Sequence, residues 1–391
     1  MENSKLTTIP SEKPGILFIH AGAELYGADR NILRAIITLA EAGYNCILMV
    51  PNDGPLIEKA RQNGVKCIIE NYPILRREMM GPAKILKYLY SYFCAIPRIR
   101  KHLIENRINI IHSNTLVVML GACFYKKKEL IHIWHLRETI WKPEILKKVL
   151  YGIVKKRADR IICVSQAVRK ALGPCTRATV INNGIEPIME SPCLDRHLEP
   201  KSQFYVGTIG RFNAIKGQID LAKAARHIRS FSNLKIQYLF TGGVFNNNTC
   251  WLDLFNQFVN ENKLSDIISV QDFTSDIKGV LSKLDLFVLP STSPDSFPTV
   301  VLESMSAGVP VVSYRNGGVE EILDDDENCL VKLGDYKTLG DTIIRLLNDN
   351  ALRYKLAEKQ NARFRQLYSL DVFKKRFLSF YEALNVIPHK L

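Results

Sequence analysis

The sequence contains no uninterrupted apolar run of the roughly 18 residues needed to span a bilayer, and it opens on a polar stretch, MENSKLTTIPSEKP, without an apolar leader. Neither a membrane-spanning protein nor one secreted by the usual route is expected. Cys-x-x-Cys pairs are also missing. The nine cysteines, at 46, 67, 94, 123, 163, 175, 193, 250 and 329, form an odd set, several of them inside apolar runs. They read as reduced thiols of a cytosolic protein rather than as a disulfide framework or a zinc site. Low-complexity tracts are absent, and 47% apolar with 24% charged residues is ordinary globular composition. At 391 residues the chain exceeds one ordinary domain and suits two.

Charge is unevenly spread. Of the net +14, residues 1–195 carry +12, from 29 Lys and Arg against 17 Asp and Glu. The excess gathers in Arg76 to Arg107, at Lys126-Lys127-Lys128, and in Lys147 to Arg157. Within the first of these, Ile85, Leu86, Leu89, Tyr90, Phe93 and Ile96 interleave with Lys84, Lys87, Arg98, Arg100 and Lys101. Such a surface suits an anionic membrane face or a phosphorylated lipid substrate. The other reading is a solvated helix face whose apolar stripe belongs to the core. The bases are spread over interrupted segments without a nucleic-acid-binding motif, so no nucleic-acid partner is expected.

Short apolar strands alternate with helical patterns from the start: GILFIHA, DRNILRAIITLAEAG, NCILMV, PLIEKARQNG and VKCII, then INIIHSNT, ELIHIWH, ADRIICVS, QAVRKAL and ATVINNGI. That alternation predicts βαβ units on a parallel sheet. Residues 186–203 are rich in proline and polar residues and read as a linker. A second αβ series follows, from FYVGTIG through DLFVLPS and PVVSY to CLVKL. The expected fold is α/β: two tandem Rossmann-like, doubly wound domains facing a cleft, 1–195 and 196–370. The last helix, about 371–391, is a candidate to pack back on the first domain. Ligands of such sheets sit at the carboxyl ends of the strands.

Three stretches sit at such ends. The first loop, HAGAELYGADR, has glycines at Walker spacing (Gly22, Gly27), but Ala28-Asp29 stands where Lys-Ser/Thr is required. With Glu24 and Asp29 expected to repel phosphate, Gly27, Ala28 and Asp29 suit an acceptor. In TIGRFNAIKGQ a strand ends at Gly210, Arg211 follows, and Lys216 precedes a helix, so two cations and helix amides can neutralise a diphosphate. In SPDSFPTVVLESMSAG, Asp295 lies in a turn and Glu303 in the helix beyond it. Carboxylates so placed accept from vicinal hydroxyls, or simply favour the helix dipole. Asp324-Asp325-Asp326 reads as a solvated acidic turn.

Gly210-Arg211-Phe212, Lys216-Gly217, Asp295-Ser296-Phe297 with Glu303-Ser304-Met305, Ala307-Gly308-Val309-Pro310-Val311-Val312, and Gly317-Gly318 with Glu320 resemble the donor domain of family-4 retaining glycosyltransferases with the GT-B fold. Gly27-Ala28-Asp29-Arg30, His135 in IWHLRE, Val164-Ser165 and Asn183-Gly184-Ile185 echo the same family. The resemblance implies a donor site of Gly210, Arg211, Lys216, Asp295, Ser296, Phe297, Pro298, Thr299 and Glu303. Arg211 and Lys216 would hold the diphosphate, Glu303 the ribose, and Asp295 and the following backbone the sugar, with 196–370 as donor domain, 1–195 as acceptor domain, His135 in the cleft, and His135, Asp295, Arg211 and Lys216 as the catalytic residues. It implies retaining transfer with no metal and no cofactor beyond the UDP- or GDP-linked donor.

The family usually has Glu at the position of Asp295 and often Gly at those of Pro298 and Cys329. The expectation is a sugar transferase acting on a lipid-linked or oligosaccharide acceptor, cytoplasmic and peripheral on the inner membrane face. Its rival is a non-catalytic nucleotide-sugar binder of the same fold.

Overall fold

The structure, a computed structural model, describes residues 13–75, 81–125, 130–139, 143–244 and 249–386. Of the expected basic surface, Arg76, Arg77 and Lys126 to Lys128 lie outside the described residues, as does the last-helix stretch from 387 on.

The chain forms two compact units, one of residues up to Asn182 together with those from Lys374, the other Asn183–Phe373. In the first unit the strands are β1 Gly15–Ile19, β2 Asn45–Val50, β3 Lys66–Ile69, β4 Ile108–Asn114, β5 Ile131–Leu136, β6 Arg160–Cys163 and β7 Ala178–Val180. They form one sheet in the order β3-β2-β1-β4-β5-β6-β7, every pairing parallel. The second unit holds β8 Phe204–Ile209, β9 Ile236–Thr241, β10 Ile268–Gln271, β11 Leu286–Leu289, β12 Val311–Tyr314 and β13 Leu330–Val331. These are also all parallel, in the order β10-β9-β8-β11-β12-β13. Helices cover both faces of such sheets, which explains why β1 (GILFI) and β11 (LFVL) are apolar without alternation and buried throughout. The strand order reverses between β1 and β4 and between β8 and β11, and the crevices where ligands bind such sheets open there, at the carboxyl ends.

The domain break expected after residue 195 falls instead at Asn182, because the supposed linker is bonded into the second unit. Ile188 N donates to Ser306 Oγ (3.1 Å), Cys193 N to Ala307 O (3.1 Å) and the buried His197 Nε2 to Gly308 O (2.8 Å). Arg353, fully buried, donates to His197 O (2.9 Å) and to the carbonyls of Leu346 and Leu347. Proline and polar content marked an irregular segment, but its backbone partners made it a strap.

The end of the helix Leu370–Glu382 completes the first unit. Phe377 and Tyr381 are buried, Tyr381 Oη lies 2.6 Å from His112 Nδ1, and His112 Nε2 lies 3.3 Å from His135 Nδ1. The Phe377 ring packs on both imidazoles. Burial holds His112 and His135 well below the usual histidine range, with the nearby Arg137 charge adding to it, and pulls His132 down to about 4.

All three histidines are therefore neutral in the folded unit near neutral pH, whereas in the unfolded chain they titrate near pH 6.5. Below about 6.5 the unfolded state takes up protons that the folded state refuses, so stability falls with pH, by up to about 1.4 kcal/mol per pH unit for each histidine. Urea midpoints should drop between pH 7 and pH 5, and less steeply for His135→Gln. A flat wild-type profile would contradict this burial.

Candidate active site

The second unit builds its site where β8, β11 and β12 end. After β8 the chain passes Gly210 and Arg211 into a turn held by Asn213, whose Oδ1 accepts from the amides of Ile215 (3.1 Å) and Lys216 (3.0 Å). Gly217 then takes a left-handed conformation (φ 71°) and comes so close to the end of β11 that a Cβ would lie 1.8 Å from Pro290 O. Only glycine meets both demands. Thr292 N donates to Ile215 O (3.0 Å), stitching the two loops together, and the helix Gln218–Arg229 begins at once.

The loop after β11 is fastened from the other side. Asp295 pairs with Gly317 in an isolated parallel bridge, Gly318 N donates to Asp295 O (2.8 Å), and Asn316 Nδ2 donates to Ser291 O (3.0 Å). A Cβ on Gly318 would stand 2.0 Å from Ser296 O. These contacts explain the Gly317-Gly318 pair of the sequence. Pro298 caps the helix Thr299–Ala307 and accepts from Val301 N (3.2 Å), while the amides of Thr299 and Val300 have no carbonyl to donate to within the helix.

Between the fastened loops Lys216 Nζ meets Asp295 Oδ2 at 2.8 Å, with about a quarter of each side chain exposed (25% and 27%). Gly210, Arg211, Lys216, Asp295, Ser296 and Thr299 thus fall on loops and a helix start around one sheet end, partly open to solvent. Glu303 follows as the fifth residue of the helix Thr299–Ala307 and is half-buried. Phe297 is buried with its ring edge-on to Tyr368 at 5.6 Å, and Pro298 is buried too, so both offer backbone rather than side chain.

In the first unit Asp29 differs from its expected role of repelling phosphate. Arg137 Nε donates to Asn114 Oδ1 (2.6 Å), Asn114 Nδ2 lies 2.8 Å from His20 Nδ1, and His20 Nε2 lies 2.7 Å from Asp29 Oδ1. Guanidinium only donates, so the Asn114 amide must turn its nitrogen to His20. His20 Nδ1 is then the acceptor, and Nε2 carries the proton that goes to Asp29. Asp29 Oδ2 accepts from Tyr26 N (2.9 Å). A buried cation is thereby linked to a buried anion through two neutral groups, and the Asp29 charge is consumed inside the unit. Gly27 and Ala28, expected on a loop, are instead the exposed first residues of the helix Gly27–Glu41, whose first turn also carries the buried Asp29. Nothing but a three-dimensional neighbour reveals His20, Asn114 and Arg137 as members of this chain.

His135, expected in a cleft, has no exposed surface, and its Nε2 has no hydrogen-bond partner among the described residues. The Phe377 packing that encloses it comes from far along the chain and could not be foreseen from IWHLRE. The acidic turn is likewise not simply solvated. Asp324 pairs with Arg363 (2.8 Å), Asp325 with Arg315 and Asp326 with Lys359 (2.8 Å), the Asp326 side chain being only 8% exposed. Among the described residues no group of three or more His, Cys, Asp or Glu is arranged to hold a metal ion.

Two parallel-sheet α/β units in tandem, the second with a lysine–carboxylate pair at its switch point, are the architecture of the GT-B fold. Residues 26–187 match the model of Glycosyltransferase Family 4 and residues 194–363 that of glycosyl transferases group 1. The chain is 32% identical over 391 residues to the N,N'-diacetylbacillosaminyl-diphospho-undecaprenol alpha-1,3-N-acetylgalactosaminyltransferase of Campylobacter jejuni, covering 93% of this chain and 97% of that protein. It is 24% identical over 202 residues, half of each chain (50% and 50%), to the UDP-Gal:alpha-D-GlcNAc-diphosphoundecaprenol alpha-1,3-galactosyltransferase of Escherichia coli. Anabaena HepE in complex with UDP shares the fold, with a TM-score of 0.79 at 19% identity over 94% of this chain and 100% of that one. This chain belongs to the family-4 glycosyltransferases and is a transferase.

Gly64, at φ 73° with nothing within 4 Å of an added Cβ, provides an internal control for Gly217. Gly64→Ala should cost about 1 kcal/mol of stability from backbone strain alone. Gly217→Ala should cost about 2–4 kcal/mol, because the close approach to Pro290 adds to the backbone strain. Thermal melts of the two variants separate these costs, and equal losses would contradict the close approach to Pro290.

Proposed function

We propose that this transferase moves a sugar, with retention of anomeric configuration, from a UDP- or GDP-linked donor to a lipid-linked or polysaccharide acceptor at the cytoplasmic face of a membrane. The observation that carries the donor half is the juxtaposition of Lys216 with Asp295 between loops fixed at the β8/β11 switch point. In this reading Arg211 and Lys216 take the diphosphate together with the first amides of the helix Thr299–Ala307, Glu303 the ribose, and Asp295 with the backbone of Ser296 to Thr299 the sugar. Charge developing on the leaving diphosphate is met by fixed cations and amides, with no metal required. Gly27 and Ala28 form the acceptor-side edge, with Asp29 holding that helix start in place through His20. His135 serves by positioning β5 through His112 rather than by touching the reacting atoms.

Support for the acceptor class comes from the Campylobacter jejuni and Escherichia coli relatives, both named for diphospho-undecaprenol-linked substrates. Support for a membrane surface comes from the helix Pro82–Glu105. Its buried stripe is Ala95, Ile99 and Leu103, while a second stripe of Leu86, Tyr90 and Phe93 is exposed (69%, 73% and 64%) beside exposed Lys84 and Lys87. The helix Glu144–Arg157 adds exposed Ile145 and Val149 beside Lys148 and Lys156. Apolar side chains among bases in this arrangement suit the headgroup region of anionic lipid. Among the described residues no helix is long and apolar enough to cross a membrane.

Two experiments test this. In a thermal-shift panel of UDP, GDP and ADP, one nucleotide at about 100 times its dissociation constant should stabilise the wild type by roughly 2.7 kcal/mol. The same nucleotide should leave Arg211→Ala/Lys216→Ala unmoved, and no shift for any nucleotide would overturn the donor reading. Vesicles of phosphatidylglycerol and phosphatidylethanolamine should float the protein at low salt. Flotation should be lost at high salt and in Leu86→Ser/Tyr90→Ser/Phe93→Ser, and salt-independent or absent flotation would remove the membrane face from the account.

A further inference from the structure

We propose that the Lys216–Asp295 ion pair is the element by which this protein distinguishes a sugar nucleotide from the bare nucleoside diphosphate, an inference that rests on the donor-site reading above. Both partners stand on backbone that cannot retreat. Lys216 is held between the Asn213 turn and the Gly217 contact with Pro290, and Asp295 between its bridge to Gly317 and the Gly318 hydrogen bond. At 2.8 Å, each about a quarter exposed, the two side chains satisfy one another when no ligand is present. Aspartate has one methylene between backbone and carboxylate, so the charge stays at the site whichever rotamer it takes.

A diphosphate seated against Lys216 competes with Asp295 for the ammonium. If the ligand ends at the diphosphate, the carboxylate is left without its partner and faces added negative charge in a site only partly open to water, where Coulomb repulsion is weakly screened. If a sugar continues beyond the diphosphate, its hydroxyls donate to the carboxylate and replace the ammonium. The full donor thus satisfies both members of the pair, and the bare nucleotide only one. The same asymmetry favours departure of the nucleoside diphosphate once the sugar has left, because the ion pair then re-forms.

Calorimetric titrations of UDP, UDP-glucose, GDP and GDP-mannose into the wild type, Asp295→Asn, Asp295→Glu, Lys216→Met and Lys216→Met/Asp295→Asn test it. Asp295→Asn should bind the bare nucleotide about two- to fivefold more tightly. It should bind the matching sugar nucleotide about tenfold or more less tightly, so that the ratio of the two constants collapses. Asp295→Glu should keep most of the wild-type ratio, and Asp295→Asn should bring no gain on the bare nucleotide in the Lys216→Met background. A structural pair without this role would leave the ratio unchanged while lowering the melting temperature. An unchanged ratio in a folded, nucleotide-binding Asp295→Asn protein overturns the inference and leaves the donor site standing. Failure of the wild type to bind UDP, GDP or either sugar nucleotide overturns the donor reading and this inference with it.

Discussion

The approach of Gly217 to the carbonyl oxygen of Pro290 is the contact on which the second unit's site depends. A Cβ there would stand 1.8 Å from that oxygen. Because β8 and β11 are neighbours in the sheet although far apart in sequence, their two loops emerge side by side. The left-handed glycine lets the first loop press against the second, and Lys216 is delivered to Asp295 as a result. On the far side, Gly317 and Gly318 let the loop after β12 press equally closely on Asp295 and Ser296. Three strand ends are thus drawn around one small volume by backbone contacts that no larger residue permits.

Charge is handled differently in the two units. In the second, the cation and carboxylate meet at a partly exposed surface, where a ligand can exchange for either. In the first, Arg137 and Asp29 are buried and joined through Asn114 and His20, with every hydrogen-bond direction dictated by the guanidinium at one end. Breaking such a chain strands a buried charge, so it serves as scaffold for the start of the helix Gly27–Glu41. The C-terminal residues Phe377 and Tyr381 seal the same sheet over neutral His112 and His135. Buried polarity in this unit holds positions, while half-buried polarity in the other remains available for binding.

The strands were legible in the sequence because fully covered parallel strands are short apolar runs between turn residues, and QAVRKAL became the helix Gln166–Leu172 residue for residue. The loops that bring Lys216 to Asp295 were legible because glycine, lysine and carboxylate stand at fixed offsets from strand ends. What could not be read depended on partners remote in the chain. Asp29 looked like a repelling charge until His20 and Asn114 were placed beside it. His135 looked available until a helix some 240 residues later closed over it. In the helix Pro82–Glu105 the period marks two apolar stripes, and only packing tells that Ala95, Ile99 and Leu103 face inward while Leu86, Tyr90 and Phe93 do not. Composition marked residues 186–203 as irregular but could not tell a strap from a linker.

The most direct measurement is a crystal structure of the protein with the nucleoside diphosphate it binds. The account predicts the diphosphate between the Lys216 ammonium and the first turn of the helix Thr299–Ala307, with Arg211 on its oxygens, the ribose at Glu303, and the Lys216–Asp295 pair opened. A diphosphate lodged instead at residues 20–29 of the first unit, with Lys216 and Asp295 still paired, would contradict it.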